Sequence, residues 1–359
     1  MVTRPDLAEL ERPALEAALA DRGHPRFHAG QVFRWLYRRG VTDVEAMTDL
    51  SRGLRADLAS TFSISTPILA HREKSVDGTE KFLLRLADGR TIESVFIPDT
   101  PSMTFCISTQ VGCAMACAFC LTGKMGLVRH LTAGEIVGQV RVLADALDMR
   151  DAAFNIVLMG MGEPLHNYDE TMKALRILTD ARGFAVPARR ITLSTVGLLP
   201  ALERLAREPV MPNLAISLHA PTDLQRGELV PINKKYGVGD IIAAAKRFPM
   251  RKRSRITFEY VLLAGVNDSP QDARRLATLL AGVKSKVNLI PLNAAAGIPF
   301  ERPSDAAVDV FARTLAEQGL TVSVRKSRGR DIRAACGQLI VEGEQKSAGQ
   351  QLAAVAFGS

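Results

Sequence analysis

The spacing of hydrophobic positions changes along the chain, and each spacing predicts a different kind of element. Over residues 1–63 it is helical. Leu7, Leu10, Leu15 and Leu19 predict a helix pair interrupted at Pro13, and Val32, Phe33, Leu36 and Tyr37 predict a helix over 31–37. A polar stretch from Thr48 to Ser51 precedes another short helix over 54–58. Over 64–98 the repeat is two. Strands are predicted at 68–74, 81–86 and 91–97, with Asp77-Gly78 and Asp88-Gly89 as the hairpin turns between them.

From 99 to 340 short apolar runs alternate with amphipathic stretches. Strands are expected at 103–108, 154–159, 191–195, 214–218, 256–262, 287–290 and 320–324. Helices are expected near 132–147, 168–180, 198–206, 239–247, 270–281 and 304–318, the first opened by the capping-box pattern Thr132-Ala-Gly-Glu135. The expected fold class is α/β: parallel β/α units in a full or partial barrel, joined by a short antiparallel sheet to a small N-terminal helical unit. The segment 341–359 reads as a polar tail. In such a barrel, functional side chains belong at the carboxyl ends of the strands.

Composition narrows the class. The chain has 359 residues, 47% of them hydrophobic, enough for a large core and small accessory units. Five cysteines, three of them close together, do not make a secreted disulfide framework. The N-terminus lacks an apolar signal core and no run is long enough to span a bilayer, so the expectation is a cytoplasmic protein without membrane association, by default a monomer. The net charge of +8 points to an anionic partner. Basic residues cluster at Arg34/Arg38/Arg39, Arg189/Arg190, Lys234/Lys235, Arg251 to Arg255 and Arg325/Lys326/Arg328/Arg330/Arg333, which favours contact with RNA or DNA. Trp35, between Arg34 and Arg38 in the chain, reads as a core tryptophan, with base stacking as the alternative.

The candidate chemistry centres on Cys113-Ala-Met-Ala-Cys117-Ala-Phe-Cys120, which follows the first barrel strand and lies between Gly112 and Gly123. Three thiolates are one short of a closed tetrahedral zinc site or a Cys₄ iron–sulfur set. A [4Fe–4S] cluster on three cysteines keeps one iron open to a second molecule. The alternatives are a zinc knuckle completed by His130 and three unrelated thiols, although no second C-x₂-C or H-x₃-H pair is available to close a zinc site. Polar groups stand where the next strands stop: Gly162 and Glu163, Ser194, Ser217-Leu218-His219, and Asn293. Cys106 lies on the first barrel strand, and its spacing from Ser108 and Cys113 aims it towards the barrel mouth. Cys336 lies in a basic loop whose arginines favour its thiolate. Glu93 interrupts an antiparallel strand, and pattern alone does not single it out.

The C-x₃-C-x₂-C motif resembles the signature of the radical S-adenosylmethionine (SAM) superfamily. The chain as a whole resembles that superfamily's RlmN/Cfr family of RNA adenine methyltransferases. The resemblance rests on Gln110 to Cys120, Gly160-Met-Gly-Glu-Pro-Leu165, Leu193-Ser-Thr195, Ile216-Ser-Leu-His219, Val287 to Asn293 and Ala334-Ala-Cys-Gly-Gln-Leu339. It departs from the family pattern at Arg333, where an acidic residue is typical, and at Leu121, where serine is usual.

The resemblance implies a partial (β/α)₆-type radical SAM barrel and a [4Fe–4S] cluster on Cys113, Cys117 and Cys120. It implies SAM held by Gly162, Glu163, Ser194, Ser217, Leu218, His219 and Asn293, with two SAM molecules used per turnover. Cys336 would be methylated by the first SAM. A 5′-deoxyadenosyl radical from the second would take hydrogen from that methyl group, and the resulting methylene would add to carbon-2 of adenine. Cys106 would resolve the covalent adduct through a disulfide with Cys336, and Glu93 would accept the ring proton. The implied partners are large-subunit ribosomal RNA before full assembly, tRNA adenine beside the anticodon, and an electron donor such as flavodoxin. Competing readings are a Cfr-like carbon-8 methyltransferase and a non-catalytic, metal-containing RNA-binding protein.

Overall fold

The computed structural model describes residues 4–98 and 102–341; of the expected polar tail, residues 342–359 lie outside the described residues. The N-terminal unit comprises α1 (Arg12–Ala20), α2 (His28–Phe33) and α3 (Arg52–Thr61). Pro13 does not separate two helices. It stands in the first turn of α1, where a missing N–H costs nothing, and Leu7–Glu9 is a 3₁₀ turn capped by Asp6. The helix predicted over 31–37 is α2 continued by a π turn over Arg34–Arg38. Ser51 caps α3 through the Leu54 N–H. Trp35 is a core residue: its indole N–H donates to Asp49, and the Arg39 guanidinium lies 4.1 Å from its ring centroid.

β1 (Ile68–Lys74), β2 (Glu80–Arg85) and β3 (Thr91–Ile97) form an antiparallel meander leading to β4 (Thr104–Cys106). Then come β5 (Gln110–Gly112), α4 (Leu121–Met125), β6 (Leu127–His130), α5 (Ala133–Ala146), β7 (Asn155–Leu158) and α6 (Tyr168–Thr179). They are followed by β8 (Ile191–Thr195), α7 (Leu199–Leu205), β9 (Asn213–Ser217), α8 (Asp223–Leu229) and α9 (Val238–Arg247). β10 (Ile256–Leu262), α10 (Pro270–Leu279), β11 (Ser285–Pro291), α11 (Asp305–Glu317) and β12 (Val322–Val324) complete the order.

One sheet runs β1-β2-β3-β4-β7-β8-β9-β10-β11-β12, and every pairing from β4 to β12 is parallel. The antiparallel strands are therefore the edge of the barrel sheet itself. The β5–β6 hairpin, α4 and α8 are short elements that periodicity did not announce. The predicted capping box at Thr132–Glu135 is present at the start of α5.

Side chains alternate across the parallel strands. Phe105, Ile156, Leu193, Ile216, Phe258 and Leu289 are buried in the apolar core. The opposite positions (Thr192 and Ser194, Thr257 and Glu259, Lys286 and Asn288) face the barrel interior, lining its cavities. The strand ends are tied together by Arg226 of α8, which is completely buried. It donates to Val196 O at 2.6 Å, Leu218 O at 3.0 Å and Asn233 Oδ1 at 3.0 Å.

Arg226→Met should lower stability by about 3–5 kcal/mol, because it strands several buried acceptors at once. Urea unfolding checks this. A loss below about 1 kcal/mol would mean that packing alone aligns these strand ends.

Candidate active site

The cysteine loop hangs between β5 and α4, and glycine geometry closes it. Gly112 has φ +74°, and a Cβ there would lie 1.9 Å from Gly126 O. The loop docks on the barrel through Ala118 N–H to Leu229 O (3.0 Å) and folds on itself through Cys120 N–H to Cys117 O (3.1 Å). Cys113, Cys117 and Cys120 all line one cavity of about 160 Å³ at the carboxyl ends of the strands.

Among the described residues no three His, Cys, Asp or Glu side chains converge as ligands of a single metal ion. The zinc-knuckle reading fails on this and on His130, whose Nδ1 meets Gln110 Nε2 at 2.9 Å while its ring packs edge-on against His166. All three cysteines are free thiols. Burial, then the charge of Cys120, raises the pKa of Cys117; burial foremost also raises Cys113 and Cys120. The same thiols lose their protons once they coordinate a positive metal body. Three thiolates around a shared cavity fit a polynuclear iron–sulfur cluster with one iron uncoordinated by cysteine.

The turn after β7 supplies the next wall. A Cβ on Gly160 would lie 2.7 Å from Ser108 Oγ, and one on Gly162 (φ +103°) would lie 2.6 Å from Gln110 Cβ. The turn can pack this closely against the chain after β4 only because these residues are glycine. The Glu163 carboxylate accepts from Val196 N–H (2.9 Å) and Leu165 N–H (3.1 Å), and burial pushes its pKa up to about 7. Ser194 and Ser217 hydroxyls meet at 3.2 Å.

His219 (φ +62°) accepts the Val261 N–H at Nδ1 (3.1 Å). Burial, then the Arg226 charge, lowers its pKa to about 3, so the ring is neutral with its proton on Nε2. Asn293 donates to Cys336 O (3.3 Å), while its own Oδ1 is buried without a partner. Such an orphan acceptor costs about 1–3 kcal/mol until a ligand donor reaches it. The cradle of bare backbone, carboxylate, hydroxyls and orphan carbonyl suits an amino-acid nucleoside such as SAM.

Cys336 lines the same cavity, held there by Leu121 N–H to Gly337 O (2.8 Å) and Thr122 Oγ1 to Leu339 O (2.6 Å). Cys106 lies outside the cavity lining, on the inward face of β4. Its thiol accepts the Met159 N–H, and burial, then the charge of Cys336, pushes its pKa up to about 12. Leu218 is fully buried and lies outside the cavity lining, its N–H donating to Glu259 O at 3.1 Å and its carbonyl accepting from Arg226 Nε at 3.0 Å. Glu93 also stands off the cavity. Its carboxylate accepts the Ile340 N–H at 2.8 Å and lies 3.3 Å from Lys81 Nζ, with burial raising its pKa.

Two charged wall residues are not among the candidate site residues, although Arg325 belongs to one of the basic clusters. Glu259 is a carboxylate inside the otherwise apolar run of β10, a signal that was available. Arg325, just past β12, has its guanidinium under the influence of Cys336, Glu259 and Cys106; nothing local distinguishes it from the arginines that follow it.

Residues 107–277 match the radical SAM superfamily, and residues 5–64 match the ribosomal RNA large subunit methyltransferase N-terminal domain. The dual-specificity RNA methyltransferase RlmN of Geobacter sulfurreducens is 50% identical over 339 residues, covering 94% of this chain and 93% of that protein. RlmN of Pelobacter propionicus is 47% identical, covering 94% and 96%. A crystal structure of a radical SAM methyltransferase from Sphaerobacter thermophilus superposes with a TM-score of 0.88 at 48% identity, covering 93% of this chain and 99% of that one. The chain belongs to the RlmN family of RNA methyltransferases within the radical SAM superfamily.

Proposed function

We propose that this enzyme, a radical SAM RNA methyltransferase, methylates carbon-2 of adenine in large-subunit ribosomal RNA and in tRNA beside the anticodon, using Cys336 as its methyl carrier. The observation that carries this is the shared cavity: Cys336 opens onto the same space as Cys113, Cys117 and Cys120. Those three cysteines would hold the [4Fe–4S] cluster, which when bound supplies the one-electron reduction that turns SAM into a hydrogen-abstracting reagent.

Adenine carbon-2 is a poor nucleophile, and a positioned base contributes only about 10²–10⁴-fold. That is why ordinary methyl transfer is inadequate and a carrier close to the cavity is needed. Glu163 would take the SAM ammonium. Gly162, Ser194, Ser217, His219 and Asn293 would line the remainder of the ligand, with Leu218 outside that lining.

Cys336 would carry the one-carbon unit on Sγ to the ring. Cys106 thiolate would then attack Cys336 Sγ. An S–S bond forms, the carbon–sulfur bond breaks with its electron pair moving to carbon, and a proton completes the methyl group. Support for this pairing is that Cys336 lies close enough for its charge to raise the pKa of the Cys106 thiol. Glu93 is the proposed acceptor of the ring proton. Burial increases its proton affinity, and it touches the Cys336 loop at Ile340.

Among the described residues no helix is long and apolar enough to cross a membrane. A cytoplasmic, monomeric enzyme fed by a small donor of the flavodoxin class is part of the same proposal. Its free cysteines are in keeping with that.

Three outcomes are expected. Nucleoside mass spectrometry after anaerobic turnover of reconstituted enzyme on ribosomal RNA and on tRNA should show 2-methyladenosine; 8-methyladenosine would move the enzyme to the sister activity. Cys106→Ala should accumulate a covalent RNA–protein species on denaturing gels, and its absence would remove Cys106 from the resolving role. SAM affinity should be weaker at pH 6 than at pH 8, because Glu163 must lose its proton, near pH 7, to pair with an ammonium. Calorimetry on Glu163→Gln should find that difference abolished.

A further inference from the structure

The turn that carries Glu163 and the hairpin that carries the cysteine loop are separate pieces of chain, and one fully buried side chain, Gln110, joins them. Gln110 opens β5 and pairs with His130 at the end of β6; the cysteine loop and α4 lie between those two strands. His166 follows Glu163 in the turn after β7, its N–H donating to Glu163 O at 3.0 Å.

The Gln110 amide can face only one way. The Glu163 N–H, which can only donate, meets Gln110 Oε1 at 2.8 Å. Nε2 therefore faces the opposite side, where it meets His130 Nδ1 at 2.9 Å and His166 Nδ1 at 3.2 Å. An amide NH₂ has two hydrogens and no acceptor to offer. Both imidazoles must accept, each as the neutral tautomer with its proton on Nε2. The rings pack edge to face, 5.0 Å between centroids, and partial burial lowers the pKa of each, which keeps both as acceptors at neutral pH. All three hydrogen-bonding positions of the amide are thus used.

Other contacts already hold the turn against the hairpin. The Thr109 and Gln110 N–H groups donate to Met161 O (2.8 and 3.2 Å), and Asn167 Nδ2 donates to Thr109 O and Leu131 O (both 2.8 Å). A Cβ on Gly162 would fall 2.8 Å from Gln110 Cγ, so the turn lies flat on this side chain. What the amide adds is a fix on residue 163 itself. The Glu163 carboxylate is held by Val196 and Leu165 N–H, and its backbone by Gln110. Without Gln110 the buried Glu163 N–H has no partner, and the turn must shift to find one.

We infer that Gln110 is a positioning residue for SAM: backed by His130 and His166, it keeps Glu163 in register with the cysteine loop. A molecule held at the cluster then meets the carboxylate with its ammonium group. This rests on the reading of Glu163 as the ammonium's partner and adds what aims it. The two histidines act on the amide and touch no substrate.

The test is SAM calorimetry on anaerobic, cluster-loaded protein at pH 8, where Glu163 is ionised. Iron content, unfolding midpoint and binding of in vitro transcribed tRNA are measured beside it. Gln110→Met keeps the length of the side chain and removes all three hydrogen bonds. Its SAM Kd should rise about 10-fold, with iron content and tRNA binding as in wild type. His130→Phe/His166→Phe keeps two rings but removes both acceptors, and should weaken SAM binding by about 3-fold or more. His130→Asn/His166→Asn places an amide oxygen near each lost Nδ1 and should recover affinity to within about twofold of wild type.

Unchanged SAM affinity in Gln110→Met, beside a loss in Glu163→Gln, would overturn the positioning role alone. Equal losses in the Phe and Asn pairs would overturn the part given to the histidines and leave them as packing. A fall in iron content and tRNA binding in step with SAM affinity would also overturn the proposal, since Gln110 would then serve the fold of the hairpin. Unchanged affinity in Glu163→Gln would remove the ammonium reading, and the positioning role with it.

Discussion

Everything chemical in this protein depends on a curled parallel sheet many of whose inward positions carry polar side chains and leave open space between them. A β-strand sends alternate residues to opposite faces. In β4 and β7 to β11, one set is buried as core and the other opens on an enclosed space. Reading inward positions from the amino to the carboxyl end of β8 gives Thr192 and Ser194, followed by Val196 just past the strand; β10 gives Thr257, Glu259 and Val261. The sheet thus grades from a polar chamber, through a charged waist, to the wall of the cluster cavity.

The carboxyl end concentrates groups that are costly to bury in isolation. The three thiols of the cysteine loop, a carboxylate with a raised pKa and an amide oxygen without a partner surround one small space. Each is a cost in the empty protein and an interaction once a metal cluster and a charged amino-acid nucleoside are in place. Arg226 gives this end its rigidity. As a buried cation bonded to carbonyl oxygens of two strand ends, it fixes where Val196 and Leu218 stand and therefore where Glu163 and His219 find their backbone partners.

Much of this was legible before any coordinates. The strands Ile68–Lys74, Thr91–Ile97, Ile191–Thr195 and Ile256–Leu262 occur at the bounds their patterns predicted; the last three bury apolar residues in the core, whereas Ile68–Lys74 is an almost wholly exposed edge strand. The capping box at Thr132 is a local signal and was read locally. Pro13 was misplaced because proline marks both helix starts and helix breaks, and only the packing of Leu15 and Leu19 decides between them. The hairpin around the cysteine loop and the seven-residue α8 are too short to carry a period at all.

The sequence by itself determined which atoms are available for chemistry: three closely spaced thiols, the glycines at 160 and 162, and polar groups ending successive strands. Local covalent spacing is enough for that. The tertiary structure alone decided which of those groups share a space. It put Cys336 on the cavity of Cys113, 223 residues earlier in the numbering, while leaving Glu93 against Lys81 and Ile340 instead. It also recruited Glu259 and Arg325, and gathered scattered arginines and lysines around a second chamber. Strand register and sheet curvature set those meetings, and neither is written in any single stretch of residues.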